Sequence, residues 1–219
     1  MEAELLADGK QKTKIYLDGN YAGWLYNRQI PGSRLSAESS ITEEEWKQMV
    51  LELILPRGKK KALDLLLFQE RTERELYDRL CGDGYTPEQT DEIMEYIRSF
   101  SYLDDARYAA HFFAAHRETK SERELRQLLL RKGVAESDIE EGYRRYREEL
   151  SEEGIDTSED PELSAIRRMI ERKLGGRSNP EGGELQKLYA ALVRKGFSYE
   201  NIRKALSEYS GDFPMDQIP

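Results

Sequence analysis

Hydrophobic and polar positions change rhythm near residue 40. Before it, Thr13-Lys14-Ile15-Tyr16-Leu17 alternates with a period of two, Asp18-Gly19-Asn20 carries turn residues, and Tyr21-Ala22-Gly23-Trp24-Leu25-Tyr26 resumes the β-rich run. This pattern reads as a hairpin that ends at Pro31-Gly32-Ser33. A lone hairpin is marginal in water, so it requires another element to pack on, or a third strand. Beyond it the period becomes helical. Thr42-Glu43-Glu44-Glu45 is a capping box, and Trp46, Met49, Val50, Leu53 and Ile54 share one helix face. Proline removes an amide donor, so this helix is predicted to stop before Pro56, leaving Arg57-Gly58-Lys59-Lys60-Lys61 as a basic connector.

From residue 59 onward the chain repeats itself. Thr72-Glu73-Arg74-Glu75-Leu76 returns 49 residues later as Ser121-Glu122-Arg123-Glu124-Leu125, with Leu80, Gly84 and Tyr85 matched by Leu129, Gly133 and Val134. A further 63 residues on stand Leu188, Leu192, Gly196 and Phe197, and Arg131-Lys132-Gly133 is echoed by Arg194-Lys195-Gly196. Such periods mark a helical array. Each copy reads as three helices. The first is Ala62–Glu70, Ala106–Glu118 or Leu163–Leu174. The second opens on a Ser or Thr cap with Glu at its third position (Thr72/Glu75, Ser121/Glu124) and stops at glycine. The third begins at Thr86-Pro87 or Ser198 and buries Ile93, Met94 and Ile97; Ile139, Tyr143 and Tyr146; or Ile202, Leu206 and Tyr209. The predicted fold is therefore mainly α: an elongated tandem array of three helix-turn-helix-like repeats, preceded by a small N-terminal β-hairpin and helix. Its expected parts are residues 1–58, repeats at 59–103 and 104–150, an acidic linker at 151–162 with Gly154 as a flexible joint, and a third repeat with C-terminal tail at 163–219.

Composition narrows the chemistry. With 38% hydrophobic and 35% charged residues in 219, the chain is lean in core, and no apolar run approaches the length of a membrane span. The opening Met1-Glu2-Ala3-Glu4 lacks a secretory pattern, which points to a cytoplasmic protein. The lone Cys81 excludes an internal disulfide and a cysteine zinc cluster. His111 and His116 stand five residues apart, about 140° around a helix, a poor arrangement for a shared metal. Asp104-Asp105 reads as a helix start whose carboxylates accept amide hydrogens rather than as a catalytic dyad. No catalytic residue, metal site or cofactor is therefore expected. The net charge of −9 conceals a division. Residues 148–162 hold eight acids and no base, whereas 163–207 hold ten Lys/Arg against four Glu.

The junction Phe100-Ser101-Tyr102-Leu103-Asp104-Asp105-Ala106-Arg107-Tyr108-Ala109, the Glu-Leu and Arg-Lys-Gly helix ends, and Lys195-Gly196-Phe197-Ser198-Tyr199-Glu200-Asn201-Ile202 together closely resemble the RecX family. The likeness covers roughly residues 59–209, and Tyr16-Leu17-Asp18-Gly19 resembles the opening of some members. The resemblance implies three-helix units lodged in the groove of a RecA filament on single-stranded DNA, damping strand exchange, ATP turnover and co-protease activity, with no cofactor or catalytic residue. Two departures stand out. The stretch His116–Lys120 is more acidic and less glycine-rich than the family pattern. Gly142 falls where the other copies have Ile93 and Ala205, which implies either a close helix approach or a weakened third helix.

The partner-binding candidates are basic residues that recur near the glycine turns. Arg131, Lys132, Arg194 and Lys195 end helices, where cations complement the negative dipole end. Arg123, Arg126, Arg203 and Lys204 lie on other helices yet near the same turns. Repetition of such clusters predicts a basic stripe suited to a periodic phosphate-bearing or acidic polymer, such as a nucleoprotein filament bound by a monomer. The alternative is direct, weak nucleic-acid binding by a helix-turn-helix-type protein; no membrane partner is expected.

Overall fold

The computed structural model describes residues 1–33, 35, 39–152, 160–175, 177, 180 and 182–209. The chain divides into two compact units, Met1–Asp104 and Asp105–Pro219. Of the predicted linker 151–162, the first two residues end one helix and the last two begin another, while 153–159 with Gly154 lie outside the described residues, as does the tail from 210.

In the first unit the hairpin gains the strand it needs. β1 (Glu2–Asp8) pairs antiparallel with β2 (Lys12–Leu17), which pairs with β3 (Asn20–Tyr26), and a two-residue β4 (Ser39–Ser40) adds to β1. The register sets Ala3 opposite Leu17 and Thr13 opposite Leu25. Asp18 and Gly19 close the β2–β3 turn at φ 47° and 78°, the positive values a two-residue turn of the twist-matching kind demands. The Asp18 carboxylate also accepts the Glu2 amide at 2.7 Å, pinning β1 to that turn.

Helix α1 (Glu43–Met49) opens on the predicted Thr42/Glu45 capping box. It does not stop before Pro56. A π-helical turn spans Val50–Ile54, and α2 (Leu55–Phe68) follows directly, with Pro56 in its first turn. The wide turn restarts the hydrogen-bond register, and a proline in a helix's first turn has no amide to waste. The supposed connector Arg57–Lys61 is thus helical, and Gly58 is buried within it.

Helices α3 (Glu73–Gly82) and α4 (Pro87–Ser99) complete the unit, each with a full capping box, at Thr72/Glu75 and Thr86/Gln89. One apolar core joins sheet and helices. Ile15, Leu17 and Leu25 pack with Ile54, Leu76, Leu80, Ile93 and Ile97, all less than 9% exposed. Polar contacts fix the sheet's angle. The Arg57 guanidinium lies 3.6 Å from the Trp24 ring centroid and donates to the Trp24 carbonyl at 2.9 Å, while Trp24 Nε1 and the Tyr21 hydroxyl donate to the carbonyls of Asp83 and Gly84.

Among the described residues the second unit holds six helices: α5 (Asp105–His116), α6 (Glu122–Arg131), α7 (Glu136–Glu152), α8 (Pro161–Leu174), α9 (Gly182–Arg194) and α10 (Tyr199–Ser207). They build two separate apolar cores. Ala109, Ala110, Phe113, Leu125, Leu129, Ile139, Tyr146 and Leu150 form one. Leu163, Ile166, Ile170, Leu185, Leu192, Ile202 and Leu206 belong to the other. Ser121 caps α6 through the Glu124 amide, but the Glu124 carboxylate is taken by Lys120 rather than closing a capping box.

Gly142 marks a close helix approach. A Cβ there would lie 2.5 Å from the Ala106 carbonyl oxygen and 2.6 Å from the Ala109 Cβ, so α7 crosses α5 with backbone nearly touching backbone. Glycine within a helix costs about 1 kcal/mol relative to alanine, but the overlap outweighs that gain. Gly142→Ala is therefore expected to destabilise the second unit by about 1–3 kcal/mol, read as a fall in the thermal or urea unfolding midpoint. A neutral or raised midpoint would contradict the close crossing.

Candidate partner-binding surface

The three glycine turns share one geometry. Gly84, Gly133 and Gly196 adopt φ of 96°, 84° and 83°. In each, the next residue's amide returns five residues to a leucine carbonyl: Tyr85 to Leu80 at 3.3 Å, Val134 to Leu129 at 3.1 Å, Phe197 to Leu192 at 3.3 Å. This is the helix-ending motif in which a left-handed residue lets the chain satisfy its last carbonyls. A buried side chain, Tyr85, Val134 or Phe197, follows each glycine and anchors the turn to its own core.

What the turns meet differs. The first receives Trp24 and Tyr21 from the sheet. The third receives the second copy's helix start: Ser121 Oγ donates to the Lys195 carbonyl at 2.7 Å. A Cβ on Gly196 would lie 3.2 Å from Ser121 Oγ and 3.6 Å from Arg123 Cδ. The aliphatic part of Arg123 is thereby set against the turn that follows Arg194 and Lys195 in the chain. At the second turn Arg131 and Gly133 are exposed, Leu130 is 47% exposed, and Lys132 Nζ sits 5.6 Å from the Tyr108 ring centroid.

Of the eight predicted contacts, Arg123, Arg131, Arg194, Lys195 and Arg203 are exposed and none is salt-bridged among the described residues. Arg194 Nε donates to the Ala190 carbonyl at its helix end. Lys204 is exposed on α10. Arg203 shares a shallow groove with Tyr189, Val193 and Tyr199, and Tyr199 is 63% exposed. The exposure of Tyr199 and Leu130 is invisible to helical periodicity, which assigns the apolar residues of an amphipathic helix inward.

Arg126 has a different setting. Its guanidinium bonds Glu122 at 2.7 Å and Glu140 at 2.9 Å, lies 3.7 Å from Glu136, and stands over the Tyr143 ring at 5.2 Å. Burial and a hydrogen bond to Glu122 raise the Tyr143 hydroxyl far above the ordinary tyrosine range, keeping it a neutral member of the cluster. Arg126 is thus bound inside its own unit, tying α6 to α7. Among the described residues no group of three or more His, Cys, Asp or Glu side chains is placed to hold a metal ion, and no helix is long and apolar enough to cross a membrane.

The two arginines should separate in a stability measurement. Arg126→Ala removes the cation shared by three largely exposed carboxylates and its stacking on Tyr143, and is expected to cost about 0.5–1.5 kcal/mol, whereas Arg123→Ala changes stability by less than about 0.5 kcal/mol. Urea unfolding of both variants checks this; equal losses would contradict it.

Comparison with known proteins adds to this geometry. The profile described as RecX, first three-helix domain, matches residues 59–96, and that of RecX, third three-helix domain, matches residues 160–206. The regulatory protein RecX of Clostridium botulinum (strain Alaska E43 / Type E3) is 24% identical over 208 residues, covering 94% of this chain and 93% of the relative. That of Caldanaerobacter subterraneus subsp. tengcongensis is 28% identical over 197 residues, covering 90% and 92%. The fold is shared with a crystal structure of regulatory protein RecX at a TM-score of 0.60 and 23% identity, covering 94% of this chain and 98% of that one. It is shared also with RecX from Lactobacillus salivarius at 0.58 and 21%, covering 71% and 96%. Two RecX domains are thus matched in their proper order, and the chain is similar to RecX regulatory proteins nearly end to end.

Proposed function

We propose that this chain is a cytoplasmic, monomeric regulator that binds the RecA filament on single-stranded DNA and inhibits its recombinase, ATPase and co-protease activities. The partition into three repeats, at 59–103, 104–150 and 163 onward, is part of the reading: each repeat contributes one glycine turn, and the contact is spread over several turns. The observation that carries it is the packing of Arg123 against the Gly196 turn that follows Lys195, because it brings exposed basic residues of two copies to one turn. Arg131, Arg194 and Arg203 extend the set. Arg126, committed to three carboxylates, is dropped from it.

Many modest charge contacts favour a long polymer over a small ligand. Inhibition then follows from differential affinity. A binder that prefers one filament state shifts the population toward it by the difference in its binding free energies, with no chemistry of its own.

Added to its cognate RecA, the purified chain is expected to lower DNA-dependent ATP hydrolysis at or below equal stoichiometry. An unchanged rate at saturation would reject the reading. The variant Arg123→Glu, Arg194→Glu, Lys195→Glu, Arg203→Glu is expected to lose that inhibition while its circular dichroism stays that of the parent; full activity would move the contact surface elsewhere. If instead the chain binds bare DNA directly, anisotropy should show affinity falling steeply with salt. Flat, weak binding across that range leaves the filament as the target.

A further inference from the structure

Helix α4 occupies in the first unit the place that α10 occupies in the third copy, but its exposed face has the opposite sign. Glu88, Asp91, Glu92 and Glu95 recur at helical spacing and are all exposed, while Gln89, Ile93, Met94 and Ile97 face inward. None of the four acids is salt-bridged among the described residues. Arg98, the base on that helix, is committed to Glu73 through hydrogen bonds of 2.9–3.2 Å. A helix so charged repels phosphate.

Beside this stripe lies an open groove of about 490 Å³. Tyr21, Trp46, Val50 and Leu51 supply its apolar surface, Glu88 and Glu92 stand along it, and Lys47, which also lines it, is paired with Glu43 at 2.6 Å. Leu51, at the start of the π turn, is 55% exposed, and Tyr21 is 37% exposed. The π turn inserts an extra residue where α1 passes into α2. Ile54 and Leu55 are turned fully into the core, and Leu51 is left facing out. π turns recur at functional sites because their poorer hydrogen bonding persists only against some other gain. The walls are fixed in advance: Gln89 Nε2 donates to the Ala22 carbonyl at 2.7 Å and the Tyr21 hydroxyl to the Gly84 carbonyl at 2.7 Å. A preformed groove spares a ligand the cost of ordering it.

We propose that this groove and the acidic face of α4 form a docking site for a basic protein segment, which sets an apolar side chain against Leu51 and Trp46 and its Lys or Arg residues against Glu88, Asp91, Glu92 and Glu95. The first unit is then a protein-reading module, opposite in charge preference to the basic turns of the second. This rests on the filament reading only for the identity of the partner: the segment belongs to the recombinase subunit rather than to its DNA.

Two measurements on the full-length chain test it. In the first, a short fluorescein-labelled peptide with one leucine flanked by arginines is titrated by anisotropy, against a control carrying glutamates instead. Binding of the arginine peptide alone is expected, weakened about tenfold by Glu88→Lys with Glu92→Lys and also weakened by Leu51→Asp. Equal binding of both peptides, or no response to these substitutions, overturns the site. In the second, a photoreactive benzoylphenylalanine replaces the exposed Leu51 and the chain is mixed with RecA filament that it co-sediments with. An adduct on RecA is expected. Co-sedimentation with an adduct on DNA alone, or with none, overturns the assignment. Absence of co-sedimentation would remove the filament reading, and the peptide titration would then decide the groove.

Discussion

A helix that must end and fold back within a few residues requires backbone in the left-handed region, where a side chain costs energy and glycine does not. Gly84, Gly133 and Gly196 meet that requirement with φ values within about 13° of one another, and the same leucine carbonyl is recovered each time. Everything that gives the copies their likeness follows from it. The placement of the buried residue after each glycine is set by this one turn. The copies then diverge in what approaches that turn: an indole and a phenol from the sheet in the first, the second copy's serine cap in the third.

These turns were legible in the sequence because a glycine that follows a leucine-bearing helix sits where a left-handed helix end is required. The buried faces of α4 and α10 were legible for a similar reason, since Ile93, Ile97, Ile202 and Leu206 keep helical spacing without exception. Pro56 misled because the rule applied to it assumes α-helical bonding on both sides; a π turn just ahead places it in a first turn, where proline is harmless. β1 went unread because of its sparse burial: Ala3 is buried, Leu5 only partly, and Leu6 is 52% exposed, so its sequence lacks a clean alternation.

The candidate surface was readable as a set of residue types and unreadable as a set of partners. Arg123 and Arg126 are three residues apart on the same helix, yet one is exposed beside another copy's turn and the other is enclosed by Glu122, Glu136 and Glu140. The i,i+4 pairing with Glu122 could have been anticipated from spacing; the two acids on α7 could not, because they arrive through the fold. Net charge is similarly uninformative as a total. The acidic face of α4 and the basic turns of the second unit cancel in the sum while remaining distinct to anything that touches them.

The hydrogen bond from Ser121 to the Lys195 carbonyl has a mechanical implication. It joins the residue that caps the start of α6 to the residue just past the end of α9, and Ser121 is fully buried. Sliding these two elements by even a fraction of a helical turn would leave the buried Ser121 hydroxyl without its acceptor, at a cost of about 1–3 kcal/mol. The seam between the second and third copies therefore behaves as a detent: it holds one setting, and leaves it by a discrete step rather than by gradual drift.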